Sequence, residues 1–154
     1  KPLVEALIAA GLVDVRTYIQ SGNVIARSDL SHSAVEKLVH DEIKKHFGGE
    51  LAIVARTPKQ VQQIFAGNPF KKIDTTKIYF ILLQGKPDKA NVKELSSQKF
   101  GSDEFVITDE AVYLYCPIRY GTTKLNNNFF EKKLDVSATM RNYRTMTKLI
   151  ELTS

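Results

Sequence analysis

The chain has 154 residues, 43% of them apolar and 25% charged, with a formal net charge of +5. That balance excludes a disordered polymer, and no run of about 18 apolar residues offers a membrane-spanning helix. The length fits one domain or two compact halves sharing a core. The basic charge permits a polyanionic partner without requiring one, because a nucleic-acid binder gathers its Lys and Arg on one face.

Cys116 is the single cysteine. It excludes a disulfide framework or a cysteine-built metal site within one chain and fits a reducing, cytoplasmic setting. The opening KPLVEALIAAG is too short and too amphipathic for a signal peptide. Leu3, Leu7 and Ile8 with Ala10 suit a helix face that Gly11 closes. Residues Val13 to Arg27 read as a hairpin: Val13, Val15, Thr17 and Ile19 alternate with polar residues, and Ser21-Gly22-Asn23 turns the chain. Ser31 or Ser33 caps the next helix, Ser33 and Glu36 having capping-box spacing. Val35, Leu38, Val39, Ile43 and Phe47 form its apolar stripe, and Gly48-Gly49 ends it. Leu51 to Arg56, LAIVAR, is expected as a strand.

Thr57-Pro58-Lys59-Gln60 is a helix start with a Thr cap, Pro at the first position and Gln where a capping box requires it. Gly67-Asn68-Pro69 ends that helix. Lys77 to Gln84, KIYFILLQ, is nearly continuously apolar and is expected as a strand buried on both faces. PDKANVKEL follows as a short helix, then FVIT and AVYLYC as strands around Asp109-Glu110. Leu125 to Leu134 reads as a helix, Ala138 to Met140 as a short strand, and Tyr143, Met146, Leu149 and Ile150 mark a closing helix.

The order predicts an α/β (α+β) fold of two ferredoxin-like β-α-β-β-α-β halves in tandem, with the N-terminal strand missing from this chain and a closing C-terminal helix. The halves are residues 1–56 and 77–154, joined by a helix and loop over 57–76, and are expected to behave as one cooperative unit. The repeat is one of topology, since no sequence self-similarity links the halves.

Chemistry concentrates near the C-terminus. Arg141, Asn142 and Arg144 crowd an expected helix start, where free backbone N–H groups and the helix dipole add to the cationic field. Lys148 shares a helix side with Arg144, and Arg119 to Lys124 is a second polar turn with two cations. These six residues, Arg141, Asn142, Arg144, Lys148, Arg119 and Lys124, form the candidate site for a small anionic ligand or a nucleic acid. The alternative is structural: Asn142 caps the helix, Tyr143 anchors a core and the arginines hold internal partners. The Arg119 to Lys124 turn lacks Walker-loop spacing. Asn126, Asn127 and Asn128 either frame a helix start or read polar ligand edges.

No catalytic motif stands out, and no cofactor or metal is expected. His40 and His46 lie six apart, which does not stack them on one helix face as zinc ligands four apart would be. Cys116 ends an apolar strand and reads as a buried, inert thiol. Tyr113 and Tyr115 either stack bases or pack a helix on one sheet face. An enzyme of unknown reaction with a site between the halves, or a scaffold associating through a sheet edge, remains an alternative class; oligomeric state is not legible.

At TYIQSGNV (17–24), TPKQVQQIFAGNPF (57–70) and ATMRNYRTMTKL (138–149) the chain resembles the bacterial domain-of-unknown-function 1697 family. The resemblance implies a duplicated ferredoxin-like architecture and no established activity, cofactor or partner. Members typically open with an apolar strand and an Arg-Gly-Ile-Asn-Val-Gly-Gly loop, and this sequence has neither. Glycine-bearing loops let backbone amides approach a phosphate, so the resemblance implies that any family site resting on that loop is incomplete within these 154 residues.

Overall fold

The computed structural model describes residues 2–18, 22–71, 74–118 and 124–153. They form a mixed α+β protein with two sheets, and the chain divides into two compact units, residues 1–56 and 57–152.

In the first unit α1 (Pro2–Ala9), β1 (Val13–Tyr18), β2 (Asn23–Arg27) and α2 (His32–Phe47) follow in order. Gly11 closes α1 at φ +115°, a backbone angle that side-chain-bearing residues rarely adopt. Past it, the Leu12 N–H turns back onto the Leu7 carbonyl at 3.0 Å. The antiparallel pair β1–β2 sets Tyr18 opposite Asn23 and is irregular between Val13 and Arg16. The turn assigned to Ser21-Gly22-Asn23 lies partly outside the described residues. Leu3, Leu7, Leu12 and Val39 form the core, with Val15, Val24, Leu38 and Ile53 packed against it.

Two expectations for this unit are corrected. Ser31 caps α2, its Oγ accepting the Ala34 N–H at 3.2 Å, but the Ser33–Glu36 capping box does not form. Glu36 is buried instead. Its carboxylate accepts the Ala55 N–H at 2.8 Å and faces the Arg56 guanidinium at 3.5 Å. That contact bears on the second correction: residues 51–56 lie outside any strand. A strand needs a neighbouring backbone ladder. Here the Ala55 donor is committed to a side chain, and among the described residues β1 and β2 pair with each other alone.

The second unit opens with α3 (Pro58–Ala66) and a short 3-10 turn (Thr75–Lys77). It continues through β3 (Ile78–Leu83), α4 (Lys89–Ser96), β4 (Glu104–Ile107), β5 (Ala111–Tyr115), α5 (Asn127–Leu134), β6 (Ala138–Asn142) and α6 (Tyr143–Leu152). The capping box at α3 forms as its sequence requires: Thr57 Oγ1 accepts the Gln60 N–H at 3.2 Å and Gln60 Oε1 accepts the Thr57 N–H at 2.9 Å. The four strands lie in the order β4-β5-β3-β6, every neighbouring pair antiparallel. Each helix-bearing crossover, β3-α4-β4 and β5-α5-β6, therefore joins two parallel strands that hold a third between them.

Apolar β3 is central, as its composition requires. Ile81 faces Val112 on one side and Met140 on the other; Phe80 faces Tyr113 and Arg141. Strand alternation separates these two sets onto opposite sheet faces. Ile81, Leu83, Val112 and Leu114 meet Leu95 of α4 and Phe130 and Leu134 of α5 in one core. On the other face the Phe80 ring lies 5.6 Å from Phe65 of α3 and 6.2 Å from Tyr143 of α6. The Tyr113 hydroxyl donates to the Ile64 carbonyl at 2.7 Å on that same face.

Candidate functional site

Four of the six candidate residues sit where β6 runs into α6 without a loop. Arg141 belongs to the strand, opposite Phe80, rather than to the helix start expected from the sequence. The reason is the ladder, which continues one residue further, to Asn142 opposite Tyr79. The Arg141 guanidinium donates to Thr139 Oγ1 at 2.6 Å and to the Met140 carbonyl at 2.7 Å. Burial draws its pKa below the ordinary guanidinium value. Asn142 caps α6, its Oδ1 accepting the Thr145 N–H at 2.8 Å, so its acceptor satisfies the first helical turn. Tyr143 packs its ring 5.0 Å from Phe65.

Arg144 is exposed on α6. Lys148, one turn on, pairs with Glu151 at 2.8 Å, and that hydrogen bond holds the Glu151 carboxyl below its usual range. Lys124 is exposed just before α5, which packs on the sheet face opposite α6. Arg119 lies outside the described residues, as do Gly121, Thr122 and Thr123. The asparagines frame α5: Asn126 Oδ1 accepts the Phe129 N–H at 2.9 Å and Asn127 Nδ2 donates to the Ala138 carbonyl at 2.9 Å.

The antiparallel register brings several features to one end of the sheet. Both β5 and β6 finish there, Tyr115 opposite Ile78 and Asn142 opposite Tyr79. A cleft of about 250 Å3 opens at this end, lined by Phe65, Phe70, Lys71, Thr75, Ile78 and Tyr143 among others. Phe70 is buried and its ring lies 5.8 Å from Tyr115. Asn68, also buried, fixes the approach to Phe70 by accepting its N–H at 3.0 Å and donating to its carbonyl at 3.3 Å. The sequence marks Gly67-Asn68-Pro69 as a helix stop, and Lys71 and Thr75 are not among its candidate residues. The helix break followed by a cation was the available signal.

Charge is divided unevenly. Residues 1–56 carry seven Lys and Arg against seven Asp and Glu; residues 57–154 carry fifteen against ten, which is the whole formal charge of +5. Two histidines on α2, His40 and His46, join surface ion pairs. His40 Nε2 lies 2.6 Å from Glu50 and Nδ1 3.1 Å from Asp41, while His46 lies 3.3 Å from Glu42. Among the described residues no cluster of three His, Cys, Asp or Glu side chains is placed to hold a metal ion. Cys116 is buried, and its N–H donates to the Lys77 carbonyl at 2.9 Å.

Comparison with known proteins bears on fold and family. The chain is similar in structure to a conserved bacterial protein, SP0830, from Streptococcus pneumoniae, with a TM-score of 0.72 at 16% sequence identity over 99% of this chain and 87% of that one. At that identity the likeness is one of fold. No curated protein matches the chain. A family model described as protein of unknown function (DUF1697) matches residues 1–113, so the β6–α6 junction lies beyond the matched residues. Because that match spans well over half of the 154 residues, the chain belongs to the DUF1697 family.

Proposed function

We propose that this chain is a non-catalytic binding module for a small anionic ligand, engaged through residues 57–154. The observation that carries the reading is the confinement of the entire +5 charge to those residues, which also hold the cleft with Lys71 on its wall. A local excess of cations raises the concentration of anions at the surface and speeds their capture. A nucleic acid is the less favoured partner. Its binders collect cations on one face, whereas Arg144 stands on α6 and Lys132 and Lys133 on α5, across the sheet from one another. We also read the fold as two ferredoxin-like halves; the β-α-β-β-α-β order of residues 78–142 supports this for the second half. The lone buried cysteine supports a cytoplasmic setting.

A thermal-shift screen of the full chain against carboxylates, sugar phosphates, nucleotides and oligonucleotides tests the reading. A ligand at a hundredfold its Kd adds about 2.7 kcal/mol, roughly 5–10 °C in Tm for a chain of this size. A screen in which no small anion raises Tm, or in which oligonucleotides alone do, overturns it.

A further inference from the structure

We propose that the cleft at the Ile78 end of the second unit's sheet is a site for a small aromatic carboxylate, a single ring bearing one negative charge. This rests on the anion-binding reading above and gives it a location and a ligand class. Phe65, Phe70 and Tyr143 supply ring surface, and Lys71 and Thr75 supply polar groups. Among the described residues, the Lys71 ammonium, the Thr75 hydroxyl and the Tyr143 hydroxyl make no hydrogen bond or ion pair within the chain.

Neighbouring polar groups are, by contrast, engaged. The Tyr113 hydroxyl, in the same aromatic cluster, is bonded to the Ile64 carbonyl, and the Asn68 side chain is held at both ends by Phe70. Arg141 is tied within its own strand and Lys148 to Glu151. Asp74, the acid nearest in sequence to Thr75, accepts the Thr76 N–H and hydroxyl on a single carboxylate oxygen, Oδ1. One ammonium and two hydroxyls among the lining residues are the donor set, in number and charge, that a carboxylate's two oxygens and single charge call for. A phosphate dianion calls for denser charge or the forked donors of Arg. At about 250 Å3 the cleft is also smaller than the sites of drug-sized ligands, roughly 300–1,000 Å3. It therefore suits one ring rather than a nucleoside phosphate. The aromatic walls favour a planar guest, which they meet edge-on or offset.

The test is an amide-resolved NMR titration of the full chain with benzoate, with benzamide as the neutral ring and with inorganic phosphate as the ringless anion. Benzoate is expected to move the signals of Phe70, Lys71, Thr75 and Tyr143, and benzamide and phosphate to bind there at least roughly tenfold more weakly. Lys71→Met should weaken benzoate roughly tenfold, and Tyr143→Phe, which keeps the ring, a few-fold, with the rest of the spectrum unchanged. Benzoate leaving these signals in place, or Lys71→Met leaving its affinity unaltered, overturns the inference. If phosphate instead moves Arg144 and Lys148 while benzoate leaves the cleft untouched, the inference falls and the anion-binding reading stands. If neither anion moves any signal, both fall.

Discussion

Gly67 makes room for the Tyr113 hydroxyl: a Cβ at position 67 would lie 2.7 Å from that oxygen, which itself donates to the Ile64 carbonyl at 2.7 Å. The glycine is not there for its backbone freedom, because its φ of −77° and ψ of −1° suit any residue. Gly67→Ala should therefore displace the hydroxyl and leave it unsatisfied, costing about 1–3 kcal/mol. The stiffer unfolded chain returns about 0.4–1 kcal/mol. A net loss near 1 kcal/mol is expected in denaturant unfolding. In a Tyr113→Phe background the same substitution should become neutral or stabilising. An equal loss in both backgrounds would show that the hydroxyl is not what Gly67 accommodates.

Ile81 lies fully buried on the central strand, flanked by Val112 and Met140 and packed over α4 and α5. Ile81→Ala removes three methylene-sized groups from a site walled on both sides by strands, so little collapse can fill the void. The expected cost is about 2–5 kcal/mol in urea unfolding. A loss below about 1 kcal/mol would mean that the face relaxes around the cavity.

How far the sequence foretold this arrangement depended on whether the deciding contacts were local. The Thr57–Gln60 capping box is a four-residue affair, and it forms as written. KIYFILLQ could be buried on both faces only at the middle of a sheet, and β3 is there. LAIVAR also reads as a strand, yet residues 51–56 lie outside any strand, and Glu36, nineteen residues from Ala55, takes the Ala55 donor. The Arg141–Arg144 knot was legible as a helix entry, and the Asn142 cap was one of its two readings and forms, but pairing with β3 drew Arg141 and Asn142 into a strand. The cleft was not legible at all. It depends on Tyr143 reaching the same sheet end as Phe70, Lys71 and Thr75, and no local pattern encodes that approach.

His40 should give this protein a pH-dependent stability term. Hydrogen bonds to Glu50 first and to Asp41 next raise its pKa above the ordinary value of 6.5. The folded state thus binds the proton more tightly than the unfolded one. The stabilisation is fully present below pH 6.5 and is lost as pH rises through the raised folded value. The site is exposed, so the effect should shrink in high salt. Tm measured from pH 6 to 8.5 should fall more for the parent than for His40→Gln. Parallel curves would remove His40 as the cause.

The two arginines of the C-terminal knot should part company when each is removed. Arg141 is half-buried beside the sheet, with its guanidinium on Thr139 and the Met140 carbonyl. Arg141→Ala loses those hydrogen bonds and the packing of the long aliphatic stem, an expected cost of about 1–2 kcal/mol. Arg144 is exposed on the first turn of α6. Arg144→Ala should stay within about 0.5 kcal/mol of the parent. Anion affinity should run the other way if α6 contributes to capture: Arg144→Ala should weaken phosphate binding, and the weakening should diminish at high salt. Arg141→Ala, compared at a temperature where both variants are folded, should alter affinity less. Equal stability losses for both variants would contradict the placement of Arg141 within the strand. Unchanged phosphate affinity in Arg144→Ala would remove Arg144 from anion capture.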